Sequence, residues 1–590
     1  MSIARGRRVW YNGVMKKIIL GACAALALAP CAAGDQGKEV SLVIYGATPA
    51  GLAAAVQARK MGLESVVIEP TGRIGGLTTG GLGQTDIGNK AAFGGLARQF
   101  YKDVKAYYED DAAWKFQNRD DYHPNGQSCW ERGEDSMWTF EPSAALKVLE
   151  RWERDNALVI LRHERLDRQA GPGAESRSAG VEIKDGRIVA IRTESGKRFA
   201  AKMFIDASYE GDLMAAAGVT YTIGREANSV YGETISGIQR ALIKYHQLNA
   251  RVDPYVKKGD PSSGLLPGIE RDVPEADGAG DRRVQAYCFR MCLTDDPRNR
   301  IPFRKPEGYN ELDYELLLRN LEAGPLDGSG MPWINSPMPN RKTDTNNRTG
   351  VSTDFIGASW NYPEATYAER AKIEAAHLKY QQGLMWTLAN HPRVPERIRR
   401  AVSRWGTCKD EFVGERGDGW QNQLYVREAR RMVGEYVMTE HECRGERAAP
   451  RPVALAAYGM DSHNCRRYVD ADGFARNEGD IEDHNVNPPG SSKPSERFGP
   501  YPIDYGAIVP KRGECANLLV PVCLSASHMA FGSIRMEPVF FALGQAAATA
   551  GAIALERGVD VQDVPYETLS ARLRADGQVL SVGRAVSQGR

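Results

Sequence analysis

Hydrophobic positions in this chain gather into short runs that alternate with longer helical stretches. Glu39 to Tyr45 (E-V-S-L-V-I-Y) is a continuous apolar run suited to a buried parallel strand. Gly46-Ala47-Thr48-Pro49-Ala50-Gly51 follows as a turn. Leu52 to Met61 then reads as an Ala-rich helix closed by Gly62. Glu64 to Glu69 is a second strand that ends in an acid. Ser143 to Asp155 predicts a helix, and Leu158 to Leu161 a strand. Gly180 to Ile183, Arg187 to Thr193 and Lys197 to Ala200 alternate around Lys184-Asp185-Gly186 and Ser195-Gly196, which predicts a β-meander. An apolar strand from Lys202 to Ile205 comes next, then a helix from Leu213 to Ala217 for which Asp212 is the expected cap. Near the end, Leu518 to Cys523 reads as a last buried strand and Ser525 to Gly532 as a loop. Val539 to Leu555 reads as an Ala/Gly-rich helix that packs closely on a sheet.

The first 34 residues follow another logic. Lys16-Lys17 precede an apolar run from Ile18 to Ala29, then Pro30, Cys31, Ala32, Ala33 and Gly34. A basic start, a short apolar core and small residues read as a signal peptide over residues 1–34. The run is shorter than the ~20 residues that span a bilayer. Arg7-Arg8 resembles a twin-arginine export signal, while a start at Met15 gives the general route. Pro30 before Cys31 weighs against a lipoprotein box. The mature protein is expected outside the cytoplasm, periplasmic or secreted, with no membrane span.

Charge narrows the partners. Across 590 residues, 76 Lys and Arg face 75 Asp and Glu, a net charge of +1. This balance argues against nucleic acid or an anionic membrane held by bulk charge. Eight cysteines follow the leader without any C-x-x-C, and only Cys288-x3-Cys292 is tightly spaced. That spacing lends no support to a metal site or a 4Fe–4S cluster, and it leaves disulfide pairing open.

The strand, glycine turn, helix, strand and acid at the start of the mature chain form a dinucleotide cradle. Gly46 permits the tight turn and Gly51 lets the helix lie close to the sheet. The helix N-terminus offers free N–H groups and partial positive charge to a pyrophosphate. Pro49 suits a first helical turn, and Glu69 can accept hydrogen bonds from ribose hydroxyls. Thr48 replaces the second glycine of the usual pattern. Its side chain must therefore turn away from the phosphates or bond one of them.

A second glycine-rich run follows, Thr71-Gly72-Arg73-Ile74-Gly75-Gly76-Leu77-Thr78-Thr79-Gly80-Gly81-Leu82-Gly83. With it, Val43 to Asp86 resembles the FAD-dependent oxidoreductase family that includes fumarate-reductase-like and heterodisulfide-reductase-subunit-A-like flavoproteins. The resemblance implies FAD, with Arg73, Gly75, Gly76 and Thr78 beside its ribityl chain and pyrophosphate. It implies further contacts from Gly46, Thr48, Ala50, Gly51 and Glu69, from Asp206 and Ala207 ending the strand after the meander, and from Gly544 on the closing helix. The implied fold is α/β: a Rossmann-like FAD-binding domain with a β-meander, discontinuous in sequence, plus a large inserted α+β substrate domain. The expected parts are 35–233 and 501–560 for FAD, 234–500 for the insert, and 561–590 for a C-terminal helix and tail.

His528 and Arg535 lie between the last strand and the closing helix, where the flavin ring is expected. Histidine suits a base that takes a hydroxyl or amine proton as hydride leaves carbon. Arg535 can hold a carboxylate or the flavin anion, and His463 is a second candidate base. The aromatic, amide and guanidinium groups of the insert suit a small polar substrate, a sugar derivative or an organic acid. The expected activity is an exported FAD-dependent dehydrogenase whose electron acceptor stays open. The reverse reaction on an unsaturated acid, a flavin-free NAD(P) enzyme and a non-catalytic binding protein on a flavoprotein fold are the rivals.

Overall fold

The structure is a computed structural model, and it describes residues 39–131, 133–168, 180–242, 245–325, 331–483 and 499–581. The expected leader at 1–34 lies outside the described residues.

Seven strands form the main sheet. The first turn runs β1 (Val40–Tyr45), α1 (Pro49–Lys60) and β2 (Ser65–Glu69). Next come α2 (Pro142–Asp155) and β3 (Val159–Arg162), then β4 (Val181–Lys184), β5 (Arg187–Arg192) and β6 (Arg198–Asp206). The sheet order is β3-β2-β1-β6-β5-β4. The β4–β5 hairpin turns on Asp185 and Gly186, both at positive φ (51° and 73°), the conformation a tight two-residue hairpin requires.

The two strands expected at 197–200 and 202–205 are one. No turn residue separates Ala200 from Lys202, so β6 runs unbroken for nine residues. Its first residues pair antiparallel with β5 (Ala190↔Ala200, Arg192↔Arg198). Its last residues pair parallel with β1 (Tyr45↔Asp206). This single strand joins the meander to the cradle.

Within the insert, β7 (Cys292–Thr294), β8 (Arg300–Ile301), β9 (Trp333–Met338), β10 (Lys342–Asn347) and β11 (Gly406–Cys408) form an antiparallel sheet in the order β9-β10-β7-β11-β8. The Cys292 and Cys408 thiols face each other across it at 3.8 Å, so the close sequence neighbour Cys288 is not the partner of Cys292. Then come β12 (Pro452–Ala456), β13 (Met460–Ser462), β14 (Ile481–Asp483) and β15 (Tyr501–Asp504). β12 pairs with β15, so the boundary expected at residue 500 falls inside a two-stranded sheet.

The chain then returns to the main sheet. β16 (Leu518–Leu519) pairs parallel with β6 at Phe204 and Ile205. The expected loop at 525–532 is instead α3 (His528–Ile534), started by Ser527, whose hydroxyl accepts from Ala530 N at 3.2 Å. The closing helix α4 (Glu537–Arg557) packs along α1, and its residues through Ala554 are buried. A Cβ on Gly544 would lie 2.0 Å from the Ala50 carbonyl oxygen, so only glycine allows this approach. α4 is long and apolar enough to cross a bilayer, yet here it is a core helix. Both ends of the described chain thus build one layer around the main sheet.

Candidate active site

The turn after β1 is shaped by two glycines. Gly46 stands at φ +97°, and a Cβ on Gly51 would lie 1.9 Å from the Gly46 carbonyl oxygen. Thr48, the departure from the glycine pattern, turns away from the turn mouth. Its hydroxyl donates to the Ala207 carbonyl at 2.7 Å and accepts from Gly51 N at 3.4 Å. A threonine is tolerated there because it caps α1 and ties the turn to the end of β6.

Glu69 is buried at the end of β2. It accepts from Ala47 N (2.7 Å), Thr71 N (2.7 Å) and the Thr71 hydroxyl (2.6 Å). Burial pushes its carboxyl up, against these bonds. Its two oxygens keep lone pairs beyond these three donors, room for ribose hydroxyls.

In the second glycine run, Gly75 N donates to the Ala47 carbonyl (2.7 Å), so the run is tied to the first turn. Gly75 and Gly76 lead into the short helix Gly76–Thr79. Arg73 donates Nε to the Thr79 carbonyl (2.9 Å) and pairs Nη1 with Glu415 (2.9 Å), while its buried Nη2 has no protein partner among the described residues. The Thr78 hydroxyl donates to Glu537 at the start of α4 (2.7 Å). Tyr209 follows the end of β6 and is buried. Its hydroxyl accepts from Leu77 N (3.0 Å) and donates to Glu537 (3.1 Å), tying the glycine run to α4. Burial pushes the Glu537 carboxyl up to about 7.

Asp206 has a structural task. One oxygen accepts from Ser208 N (3.0 Å) and the Ser208 hydroxyl (2.6 Å), the other from Met214 N (2.8 Å). Burial raises its carboxyl to about 6. Asp212 is not the expected helix cap, because Gly211 holds that position. Its carboxylate pairs instead with Arg370 (2.7 Å), Arg430 (2.8 Å) and Arg168 (3.4 Å).

The expected catalytic pair separates. Arg535 lines a narrow cleft at the start of α4, beside Thr78, Thr85, Asp86, Tyr425 and Glu537. It donates Nη1 to the Tyr425 hydroxyl (2.9 Å) and Nη2 to Asp461 (3.2 Å), and its buried Nε has no protein partner among the described residues. His528 does not line this cleft. Its Nδ1 meets Glu428 at 2.9 Å and its Nε2 meets the Ser462 hydroxyl at 2.9 Å, so both ring nitrogens are engaged. Strand alternation explains the split. On β13, Asp461 points to the open side and Ser462 to the opposite side, where α3 holds His528.

A cavity of about 350 Å³ adjoins this cleft. Asp86 lines both spaces. Arg290, Asn347, Asp461, His463 and Asp480 share the cavity wall. His463 holds Asp354 through Nδ1 at 2.7 Å, and Asp354 in turn takes Arg427 Nη2 at 2.7 Å. Burial pushes the Asp86 carboxyl up to about 6, although Arg290 opposes the shift. Sequence reasoning gave neither Asp86 nor Asn347 a role, although it marked Asn346-Asn347-Arg348 as a polar run of the insert. Asp86 ends the glycine-rich stretch and so carried a signal, whereas Asn347 lies in an Asn-rich run without spacing that marks it. Elsewhere, the carboxylates of Glu141, Asp410 and Glu411 cluster as metal ligands would, but the Lys342 ammonium sits among them at 2.7, 2.9 and 2.7 Å.

The glycine-shaped turn, the buried helix start and the unpartnered Arg73 and Arg535 nitrogens fit a bound FAD. The family comparison agrees on the cofactor. The family model described as FAD dependent oxidoreductase matches residues 41–573. L-amino acid deaminase from Proteus vulgaris is 15% identical, with a TM-score of 0.22, over 33% of this chain and 54% of its own. A flavin-containing monooxygenase from Stenotrophomonas maltophilia is 17% identical, with a TM-score of 0.18, over 32% of this chain and 43% of its own. The matched parts thus span about half the length of these neighbours or less. No curated protein matches the sequence. With a family match over residues 41–573 and a cradle that fits the cofactor, the chain belongs to the FAD dependent oxidoreductase family.

Proposed function

We propose that the protein is an exported dehydrogenase that oxidises a small polar substrate held in the 350 Å³ cavity. The observation that carries this reading is the position of Asp86, in the wall common to the cavity and to the cleft at the start of α4. FAD, when bound, supplies a two-electron acceptor. The protein must then take a proton from the substrate hydroxyl or amine. A group that does so has to touch the substrate and stand beside the flavin. We assign this task to Asp86 because it lines both spaces, and with its carboxyl near 6 it is ionised at neutral pH yet more basic than an ordinary aspartate. Arg535, fixed by Tyr425 and Asp461, offers positive charge at the same junction. His463, oriented by Asp354, supports the polar wall beyond it.

Anaerobic bleaching of the ~450 nm flavin band by a screen of sugars, polyols and carboxylic acids tests the activity. The reading fails if no such compound reduces the purified holoenzyme. Export rests on the basic and apolar N-terminal pattern at Lys16 to Gly34. N-terminal sequencing of protein from outside the cytoplasm should begin near residue 34, and an intact N-terminus on that protein would refute cleavage.

A further inference from the structure

We infer that the 350 Å³ cavity recognises an uncharged polyhydroxylated molecule, a sugar or polyol, through the Asn347 carboxamide and the free carboxylate oxygen of Asp480. This deepens the dehydrogenase reading and rests on it. Asn347 ends β10 and lines the cavity, with only 1% of the residue exposed. Among the described residues, neither its Oδ1 nor its Nδ2 has a protein partner. Asp480, 2% exposed, gives Oδ2 to His246 Nδ1 at 2.8 Å, while Oδ1 is unpartnered among the described residues. Buried polar atoms are rarely left unsatisfied, and those that are point to a missing partner. Here a donor and two acceptors share one cavity wall.

The charges on the wall select the chemical class. Arg290 gives Nε and Nη2 to Asp344 (3.0 and 2.6 Å). His246 is held by Asp480, Arg535 by Asp461 and His463 by Asp354. Among the described residues lining the cavity and the cleft, each of these basic side chains already faces a carboxylate. A carboxylate substrate would meet Asp86, Asp461, Asp480 and Glu482 without an uncommitted cation to offset them. An ammonium would suit those acids, but it has no lone pair for Asn347 Nδ2 and would face Arg290 and His246. A hydroxyl does both tasks. It donates to Asp480 Oδ1 or Asn347 Oδ1 and accepts from Asn347 Nδ2. Adjacent hydroxyls on one carbon skeleton satisfy the whole set.

The test uses the FAD-loaded protein with three panels: hexoses, pentitols and inositols; lactate, malate and succinate; and small primary amines. Flavin bleaching and calorimetric binding are read in parallel. The first panel should bleach the flavin and bind. Asn347→Leu, or Asn347→Ser if the leucine variant does not fold, should raise the KM and Kd for the best polyol at least tenfold. FAD content and reduction by dithionite should stay unchanged. Preference for an acid or amine, or unchanged KM and Kd in the Asn347 variant, overturns the inference. Polyol binding that Asn347→Leu weakens, without bleaching by any panel, sinks the dehydrogenase reading but keeps the recognition site. No binding by any polyol overturns the inference.

Discussion

The Glu428 carboxylate and the His528 ring meet at 2.9 Å, and both are almost fully shielded from water. Ser462 completes the row on the other ring nitrogen. This arrangement holds β13 against α3 behind the cavity wall, away from the cleft at the start of α4. His528→Ala should strand a buried carboxylate and cost about 3–5 kcal/mol, read as a lower denaturation midpoint. Flavin reduction in the holoenzyme that remains folded should fall less than tenfold. A loss of a thousandfold with unchanged stability would return His528 to the chemistry.

Gly51 has no room for a methyl group. Its Cβ would stand 1.9 Å from a backbone oxygen that cannot rotate aside. Gly51→Ala should therefore reduce the FAD-to-protein ratio of the purified enzyme and destabilise it by about 1–3 kcal/mol. A variant that keeps full flavin content and melting temperature would show that the turn is looser than its geometry indicates.

Asp86 makes a pH prediction. The proton acceptor works only when ionised, so the rate of substrate-dependent flavin reduction should rise through about pH 6 and level off above it. Asp86→Asn should remove that limb and slow reduction by roughly 10²–10⁴-fold while FAD stays bound. Stopped-flow absorbance across pH 5–8 checks both points. An unchanged acid limb in Asp86→Asn would assign the ionisation elsewhere.

Asp212 predicts how the fold responds to acid. Burial alone would raise its carboxyl, but Arg370, Arg168 and Arg430 hold it at about 2. An unfolded aspartate titrates near ~3.9. The folded value is the lower one, so this stabilisation is complete above about pH 4 and is lost as pH falls toward 2. It amounts to about 2–3 kcal/mol. Asp212→Asn should flatten the acid side of a stability–pH curve between those limits. An unaltered curve would count against the three-arginine cluster as its source.

Much of the cofactor layer was legible because it depends on local signals. The apolar run before Gly46, the acid at Glu69 and the hairpin at Asp185-Gly186 each act over a few residues. The same local reading missed α3, because Gly532 resembles a loop residue until the packing of β13 is seen. It chose His528 for its place between the last strand and the closing helix. Whether a side chain on such a segment faces a cavity or the core depends on residues some 66 and 100 positions away, Ser462 and Glu428. Asn347 carries its meaning only through partners it lacks, a property that appears once the β10 wall is assembled.

The double pairing of β6 has a consequence for synthesis on the ribosome. Its strand-mate β16 and the glycine that fits against Ala50 arrive more than 300 residues after β6 itself has emerged. The nascent half-sheet must wait with an unpaired edge and an uncovered α1 while the whole insert is translated. Premature termination anywhere before residue 518 would leave that edge open, a template for aggregation rather than a smaller working enzyme.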